Sequence, residues 1–494
     1  MKSKLNIFFV SSEVFPFTQA GALGEVAGAL PKYIKNFGHD IRMMMPNYKS
    51  INERKYVLRD VIRLQGLKIQ VGDEIHAANA KSAFLPDSKV QIYFLDNKHF
   101  FQRDGLYADP RSGKQYKDND ERFIFFCKGC LETLKLLYWQ PDIIHCSGWQ
   151  TALIPILLKS VFREETFFKN TRTLLSFPAQ FTSAHFESST FEKAGIPPKF
   201  SPSSAQNKNG LNFLKVGLEY ADLLSTYGES VVASIAELAQ NRVEFKDILA
   251  SRKSDIYGIG NGIDDQVWNP ENDTLIPFQY SRRDPSGKIK NKMELLNRCG
   301  LVFSERIPVI SLMAHSTNGS GLERLLALID QLMPLDLYLL VFGSGDQKYH
   351  RQLKTLQKRY PEKMQVEPLL DTALTHLIVA GSDLFLMPSA YDVFGIEQLY
   401  SLAYGTIPII SNTASAETIT PIHPETAAGT GFIFNHRESS DLLKAVKQAI
   451  KIYQKKEVWA KIVQNAMKVD ASWDVSAQKY VKLYNKLVSL KNSR

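Results

Sequence analysis

Short apolar runs alternate with longer amphipathic stretches along most of the chain. "LNIFFVSS" is followed by "LGEVAGALPKYIKNFG" and "DIRMMMP" in the first half, and "DLFLMPS" is followed by "IEQLYSLAYG" in the second. Strands that are apolar along their whole length and are separated by helices are typical of parallel sheets covered on both faces. The pattern therefore predicts an α/β protein made of doubly wound sheets.

The alternation falls into two halves, separated by a stretch of different composition. Residues 257–277, "YGIGNGIDDQVWNPENDTLIP", are rich in Gly, Asn, Asp and Pro, which is typical of a hinge or linker. We predict a Rossmann-like domain over residues 1–256, a hinge at 257–277 and a second Rossmann-like domain over 278–469. Ligands of such folds bind at the carboxyl ends of the strands, so we expect a cleft between the domains.

The C-terminal part of the chain has a helical pattern. Residues 441–490 predict two or three amphipathic helices. Their apolar faces would carry Trp459, Met467, Trp473, Tyr480 and Tyr484.

Composition narrows the classes of function. The chain has 494 residues, 44% of them hydrophobic and 22% charged, which is ordinary for a globular protein of two or three domains. The net charge of +9 is spread out, and the densest basic stretch, residues 281–292, has no interleaved aromatics. We therefore do not expect nucleic-acid binding.

The N-terminal apolar run is interrupted by Glu13 and lacks a small-residue cleavage site, so it predicts a first strand rather than a signal peptide. No apolar stretch has membrane-spanning length, so no membrane partner is expected. Four cysteines in a chain this long form no disulfide framework, and Cys127 and Cys130 are interpreted as core residues rather than as a metal or redox site. We expect a cytoplasmic protein.

Several residues could carry chemistry, with alternatives left open. Asp392 stands between a strand end and a helix start, where a carboxylate is either an acid or base or an N-cap. The glycine turns at 21–28 and 342–346 either approach an anion or only turn the chain. His145 is a ligand, a base or a structural residue. From these residues alone, the sequence predicts a two-lobed α/β protein with an interdomain cleft.

Several stretches resemble motifs of one enzyme family. "SSEVFPFTQAGALGEVAGALPK" resembles S-E-x-x-P-x-x-K-T-G-G-L-x-D-V-x-x-x-L-P, and "NGIDDQVWNPENDTLI" resembles N-G-I-D-x-x-x-W-x-P-x-x-D. "PSAYDVFGIEQLYSLAYGTIPI" is similar to P-S-x-x-E-P-C-G-L-x-Q-x-x-x-x-x-Y-G-T-x-P. These are motifs of bacterial glycogen synthases and plant starch synthases, and the resemblance is collinear over nearly the whole chain.

The resemblance implies the GT-B fold, with residues 470–494 forming a helix that crosses back to the first domain. It implies transfer of glucose from ADP-glucose to the non-reducing end of an α-1,4-glucan with retention of anomeric configuration. It implies no metal and no other cofactor. It places acceptor or cleft residues at Tyr107, Asn119 and Trp149.

At the donor site the resemblance is incomplete for the charged groups. The lysine of K-T-G-G-L corresponds to Gln19, whereas its first glycine is kept as Gly21. The arginine and lysine of R-L-x-x-Q-K-G correspond to His315 and Ser320. The motif asparagine of the hinge is kept as Asn261.

The implied catalytic positions differ as well. The family histidine over the donor sugar corresponds to Phe177, and the glutamate of E-x-C-G corresponds to Asp392, one methylene shorter. The cysteine of that motif is Phe394, although its glycine is kept as Gly395. The segment T-G-G-L begins here at Thr413.

These differences lead to three hypotheses. Each fixed cation that faces a leaving diphosphate accelerates the reaction by a factor of about 10²–10³. Their loss therefore predicts a synthase with weak or lost canonical activity. The alternative is a non-catalytic relative that binds glucan or regulates an active synthase partner. A third hypothesis is a changed donor or acceptor, bound in a pocket made more apolar by Phe177 and Phe394.

Overall fold

The structure is a computed structural model, in which two compact units can be distinguished. One unit is Met1–Ile259 with Ser476–Arg494, and the other is Gly260–Val475. The residues that the structure describes are 4–178, 184–200, 210–238, 243–314, 321–343, 347–368, 371–389, 395–412, 418–435 and 438–490.

The first unit is built on a mixed sheet of ten strands in the order β12-β11-β8-β7-β1-β2-β6-β5-β3, with β4 paired to β5, while β9 and β10 form a separate pair. The strands are β1 (Asn6–Ser11), β2 (Asp40–Pro46), β3 (Arg59–Asp60), β4 (Leu67–Val71), β5 (Glu74–Phe84), β6 (Gln91–Asp96), β7 (Ile143–Ser147), β8 (Arg172–Ser176), β9 (His185–Phe186), β10 (Leu211–Asn212), β11 (Leu223–Thr226) and β12 (Ile256–Gly258).

The central strands β1, β2, β7 and β8 are parallel and largely buried, as their continuous apolar sequences predict. The helices of this unit are α1 (Ala22–Asn36), α2 (Lys98–Phe101), α3 (Asn119–Leu137), α4 (Ile154–Lys159), α5 (Thr190–Lys193), α6 (Phe213–Tyr220), α7 (Glu229–Leu238) and α8 (Val243–Ser251).

One edge of this sheet differs from the predicted doubly wound pattern. β5 runs antiparallel to both β4 and β6. Along β4, Leu67, Ile69 and Val71 are buried while Lys68 and Gln70 are exposed. This alternation with period two is typical of an antiparallel strand with one solvated face, and it differs from the continuous apolar runs that predict buried parallel strands.

The second unit is built on a six-stranded parallel sheet in the order β15-β14-β13-β16-β17-β18. Its strands are β13 (Val309–Met313), β14 (Tyr338–Phe342), β15 (Met364–Glu367), β16 (Leu384–Met387), β17 (Ile407–Ser411) and β18 (Phe432–Phe434). Its helices are α9 (Ser286–Arg298), α10 (Leu322–Leu332), α11 (Gln347–Arg359), α12 (Thr372–Gly381), α13 (Ile396–Ala403), α14 (Ser439–Tyr453), α15 (Lys456–Ala466) and the start of α16 (Trp473–Ser489).

The strand order of the second sheet reverses at its centre. The chain proceeds from β13 through β14 to β15 on one side, and from β16 through β17 to β18 on the other. β13 and β16 are direct neighbours. The carboxyl ends of such a strand pair form a topological switch point, which is where open α/β sheets bind their ligands.

The basic stretch at 281–292 contains two internal lysines. Lys288 is buried, and its Nζ donates to two backbone carbonyls and to Oγ1 of Thr406 at 2.7 Å. Burial lowers the pKa of Lys288 to about 7. Lys292 forms a buried ion pair of 2.8 Å with Asp383. Both side chains therefore bond inside the second unit and do not contribute to a surface patch.

The cysteines of the C-x-x-C sequence lie in the core, as predicted. Cys127 and Cys130 on α3 are both fully buried, and burial raises the pKa of each thiol, so both remain protonated. Among the described residues, no group of three or more His, Cys, Asp or Glu could hold a metal ion. No helix in this part of the chain has the length and apolarity needed to cross a membrane.

The C-terminal part forms three helices, α14, α15 and α16, which confirms the helical prediction. From Ser476 onward α16 belongs to the first unit. The aromatic side chains expected on the apolar faces are buried at Trp459, Trp473, Tyr480 and Tyr484.

His145 links α16 to the sheet of the first unit. Its Nδ1 lies 2.7 Å from the hydroxyl of Tyr484, and its Nε2 lies 2.6 Å from Oγ of Ser176. Ser176 in turn is 2.5 Å from Oγ of Ser225. Burial lowers the pKa of His145 to about 3. Of the alternatives left open for this residue, the structure supports the structural one.

We expect the neutral His145 to make the protein sensitive to acid. Between pH about 6.5 and 3 the unfolded chain binds a proton at this residue and the folded chain does not, so stability falls as pH falls. The loss would approach roughly 4–5 kcal/mol near pH 3. Urea unfolding of the protein and of His145→Gln from pH 7.5 to 4 measures it. The variant should be less stable at pH 7.5 and should lose less stability on acidification; parallel curves would contradict the prediction.

Candidate functional site

Glu13 is at the centre of a hydrogen-bond network at the carboxyl end of β1. Its side chain is only 4% exposed. Oε2 accepts hydrogen bonds from the backbone N–H groups of Ala20 and Gly21 at 2.5 and 3.1 Å, and Oε1 accepts from the hydroxyl of Tyr107 at 2.6 Å. The carboxylate therefore fixes the turn that leads into α1.

The protonation states at this network follow from burial and charge. Burial raises the pKa of Glu13, while the hydrogen bonds from Tyr107, Ala20 and Gly21 oppose that shift. Burial and the nearby Glu13 charge raise the pKa of Tyr107 well above its usual value. Tyr107 therefore remains a protonated phenol that donates to Glu13.

Tyr107 connects this turn to α3. Its hydroxyl lies 2.7 Å from Oγ of Ser12, and its carbonyl accepts from Nδ2 of Asn119 at 2.9 Å. Oδ1 of Asn119 accepts from Nη1 of the fully buried Arg122 at 2.7 Å. Two predicted cleft residues, Tyr107 and Asn119, thus belong to one network with the turn at Gly21.

Trp149 adds an aromatic surface next to this network. It follows β7 after Gly148, which has a left-handed backbone with φ 78°. The indole ring lies 6.4 Å from the ring of Tyr107 and 5.0 Å from that of Phe123. Phe186 and Phe213 complete the surroundings at 5.8 and 6.3 Å. The structure therefore brings together Gly21, Tyr107, Asn119 and Trp149.

Two other predicted residues of the first unit are described. Gln19 is exposed, and its Cβ lies against the start of α1, where a Cβ on Gly24 would approach it to 2.6 Å. Phe177 directly follows β8 and is fully buried, with its backbone N–H donating to the carbonyl of Ser225 at 3.0 Å. Neither side chain carries a charge.

The remaining predicted residues belong to the second unit. Asn261 is buried at 8% exposure, and Gly395 is the N-cap of α13 with a left-handed φ of 61°. The other predicted residues, which are His315, Ser320, Asp392, Phe394 and Thr413, lie outside the described residues.

An aromatic cluster around Trp268 was not predicted from the sequence. The indole ring stacks with the ring of His376 at 3.9 Å and with that of Tyr400 at 3.6 Å. Oδ2 of Asp273 lies 2.8 Å from Nδ1 of His376 and accepts from the hydroxyl of Tyr404 at 2.6 Å. Trp and Asp are motif positions of the N-G-I-D stretch, so the motif contained the signal. The cluster anchors Trp268 and Asp273 to α12 and α13.

Comparisons with known proteins agree with this architecture. Residues 6–250 match the family model described as "Starch synthase catalytic domain", and residues 302–467 match the one described as "Glycosyl transferases group 1". The chain is 34% identical over 488 residues to a glycogen synthase of Chlorobium phaeobacteroides, covering 99% of each chain. It is 36% identical over 490 residues to one from Thermotoga petrophila, covering 98% of this chain and 99% of the relative.

A solved structure shows the same fold. The catalytic domain of Starch Synthase IV from Arabidopsis thaliana, bound to ADP and acarbose, superposes with a TM-score of 0.90 at 24% identity. The match covers 99% of this chain and 100% of that one. The expected two-domain α/β fold of GT-B type is thus confirmed, and so is the family resemblance. The chain belongs to the glycogen synthase and starch synthase family of glycosyltransferases.

Proposed function

We propose that the chain is a glycogen synthase-type scaffold in which canonical glucosyl transfer is weak or lost. The reaction in question moves glucose from ADP-glucose to the non-reducing end of an α-1,4-glucan with retention. The observation that carries the proposal is the chemistry at two donor positions: Gln19 is uncharged and exposed, and Phe177 is apolar and fully buried. Gln19 cannot supply the charge of the motif lysine, and Phe177 cannot supply the hydrogen bond of the motif histidine.

The size of the expected loss follows from the electrostatics of the leaving group. ADP gains negative charge as it departs, and each fixed donor facing that charge contributes about 10²–10³ in rate. With Gln19, His315 and Ser320 in place of the motif lysine, arginine and lysine, up to three such groups are missing, although the rate losses from each do not simply add. The carboxylate of Asp392 is one methylene shorter than that of the motif glutamate, and the side chain of Phe177 cannot hydrogen-bond a sugar.

The acceptor side is better preserved. The buried Glu13 carboxylate holds Tyr107, and Tyr107 and Trp149 form a polar and aromatic surface. These observations favour glucan binding even where transfer fails, which corresponds to the non-catalytic alternative of a relative that binds glucan. In this scheme residues 1–256 form the acceptor side, and residues 278–469 the donor side. Residues 470–494 return to the first domain.

The remaining donor contacts involve neutral groups. Gly21, Asn261, Gly395 and Thr413 would contact the nucleotide sugar through the backbone or through a neutral side chain. The reaction uses no metal, and the protein acts in the cytoplasm.

We expect ADP and ADP-glucose to bind with dissociation constants above about 1 mM, which corresponds to less than about 4 kcal/mol. The reason is the missing cations at the donor positions. Isothermal titration of the purified protein measures this, with a relative that retains K-T-G-G-L titrated in parallel as the control.

A second measurement separates the two functional classes. Maltoheptaose binding and incorporation of labelled glucose from ADP-glucose into glycogen are measured on the same preparation. Glucan binding without transfer supports the non-catalytic alternative. Micromolar binding of ADP with transfer at the rate of the control relative would contradict the proposal.

A further inference from the structure

The switch point between β13 and β16 carries an arginine to which the motif comparison assigns no role. α10 follows β13 and begins at this edge of the sheet. Its N-cap, Gly321, has a left-handed φ of 75°. A Cβ at this position would lie 2.5 Å from the backbone of Pro388 and 2.8 Å from the nitrogen of Ser389. The first turn of α10 is therefore packed directly against the residues that follow β16.

Arg324 lies in that first turn. Its backbone N–H donates to the carbonyl of Gly321 at 3.1 Å, and its Nη1 donates to the carbonyl of Pro388 at 3.1 Å. The half-buried guanidinium thus bridges from the helix after β13 to the chain after β16. A guanidinium has five N–H donors, and within the described part of the chain this is the single side-chain hydrogen bond that Arg324 makes.

The surroundings favour an anion at this position. The described ion pairs of the second unit do not include Arg324, so its charge is not neutralised by a described carboxylate. α10 and α13 both follow strands of this central pair, so both N-terminal ends lie at the carboxyl edge of the sheet, where helix dipoles favour negative charge. A planar guanidinium fork matches the oxygens of a phosphate.

We propose that Arg324 binds the diphosphate of the nucleotide donor at this switch point. The inference rests on the proposed function, in which His315 and Ser320 no longer supply the two cations of the family motif. Arg324 is then the residue on which the remaining nucleotide affinity depends. If Arg324 instead only holds α10 against Pro388, its removal changes the stability of the protein and leaves nucleotide affinity unchanged.

The test compares Arg324→Leu with Arg351→Leu, which removes an exposed arginine from α11 in the same unit. ADP, pyrophosphate and adenosine are titrated at millimolar concentrations and low salt, with binding read from ³¹P or ¹H NMR shifts. Arg324→Leu should weaken the binding of ADP and of pyrophosphate at least about tenfold, since one charged hydrogen-bonded contact is lost, and should leave the binding of adenosine unchanged. Arg351→Leu should change none of the three.

Conservative variants keep the test valid if Arg324→Leu unfolds. Arg324→Lys keeps the charge without the fork and should show an intermediate loss for ADP, whereas Arg324→Gln should match Arg324→Leu. Melting curves establish that each variant is folded. Equal ADP affinity of the parent and of a folded Arg324→Gln protein overturns the inference.

A second background separates this inference from the proposed function. A His315→Arg, Ser320→Lys protein again has the two cations of the family motif. Adding Arg324→Leu to it should therefore weaken ADP binding less than about threefold. If the parent does not bind ADP and the double revertant does, the proposed function stands and the role of Arg324 is overturned. If the parent binds ADP at micromolar concentration, the proposed function fails. The inference on Arg324 is then decided by whether Arg324→Leu weakens that binding.

Discussion

Deletion of residues 470–494 is expected to leave the first unit without a stable fold. From Ser476 onward the last helix belongs to that unit although it is distant in sequence. Its hydroxyl at Tyr484 hydrogen-bonds His145, the ring of Tyr480 lies 5.6 Å from that imidazole, and Nη2 of Arg172 donates to the carbonyl of Leu490. The side chains that it buries are Ala477, Tyr480, Leu483, Tyr484 and Leu487.

The magnitudes explain why the expected effect is large. Truncating one buried aromatic side chain costs about 3–5 kcal/mol, and a domain has about 5–15 kcal/mol of stability in total. Removing the helix would also expose the apolar side chains that it covers and would leave the buried His145 without one of its two partners. The loss therefore exceeds what the unit can sustain.

Urea unfolding followed by tryptophan fluorescence, with dye binding to exposed apolar surface, measures the effect. Deletion of residues 491–494 alone is the matched control and should leave the midpoint unchanged. Tyr484→Phe should cost about 1–3 kcal/mol, since it leaves Nδ1 of the buried His145 without its partner, and Tyr484→Ala about 3–5 kcal/mol. Unchanged unfolding of the 470–494 deletion would show that this helix does not stabilise the unit.

The parts of the fold that were predictable from sequence are those encoded by local pattern. Continuous apolar runs located β1, β2 and β16, and amphipathic periodicity located α1, α13 and the C-terminal helices. The antiparallel edge at β3, β4 and β5 was missed because its strands are half exposed. Short elements such as β9 and β10, with two residues each, have no periodicity to detect.

The site was less predictable because its contacts join distant positions. Glu13 hydrogen-bonds a residue 94 positions away, and His145 one 339 positions away. Spacing along the chain carries no information on such pairs. The family motifs supplied Tyr107, Asn119 and Trp149 individually, and only the fold shows that one carboxylate and one aromatic cluster connect them. The family motif likewise contained Trp268, but the motif gives no indication that its ring stacks with those of His376 and Tyr400.

Restoring five donor-site residues together is expected to bring back glucosyl transfer. The changes are Gln19→Lys, Phe177→His, His315→Arg, Ser320→Lys and Asp392→Glu. The cations would act on the leaving diphosphate, and the longer carboxylate would regain its reach toward the donor sugar. We expect incorporation of labelled glucose into glycogen at least about a hundredfold above the parent, whereas single reversions should change little because groups that act on one transition state are strongly non-additive.

The gain should be partial, for reasons that the chain itself provides. Phe177 is fully buried, so a histidine there must exchange apolar packing for a polar ring. Phe394 and Ala414 also remain in place of the family cysteine and glycine.

The matched control is the same fivefold protein with Asp392→Gln instead of Asp392→Glu, which keeps the length of the side chain and removes its charge. If this control transfers glucose equally well, the carboxylate at 392 has no part in the reaction. If the parent is already as active as an ordinary synthase, the proposed loss is wrong. If the revertant folds, binds ADP tightly and transfers nothing, the backbone of the donor site has changed, and the residue-by-residue correspondence with the family fails there.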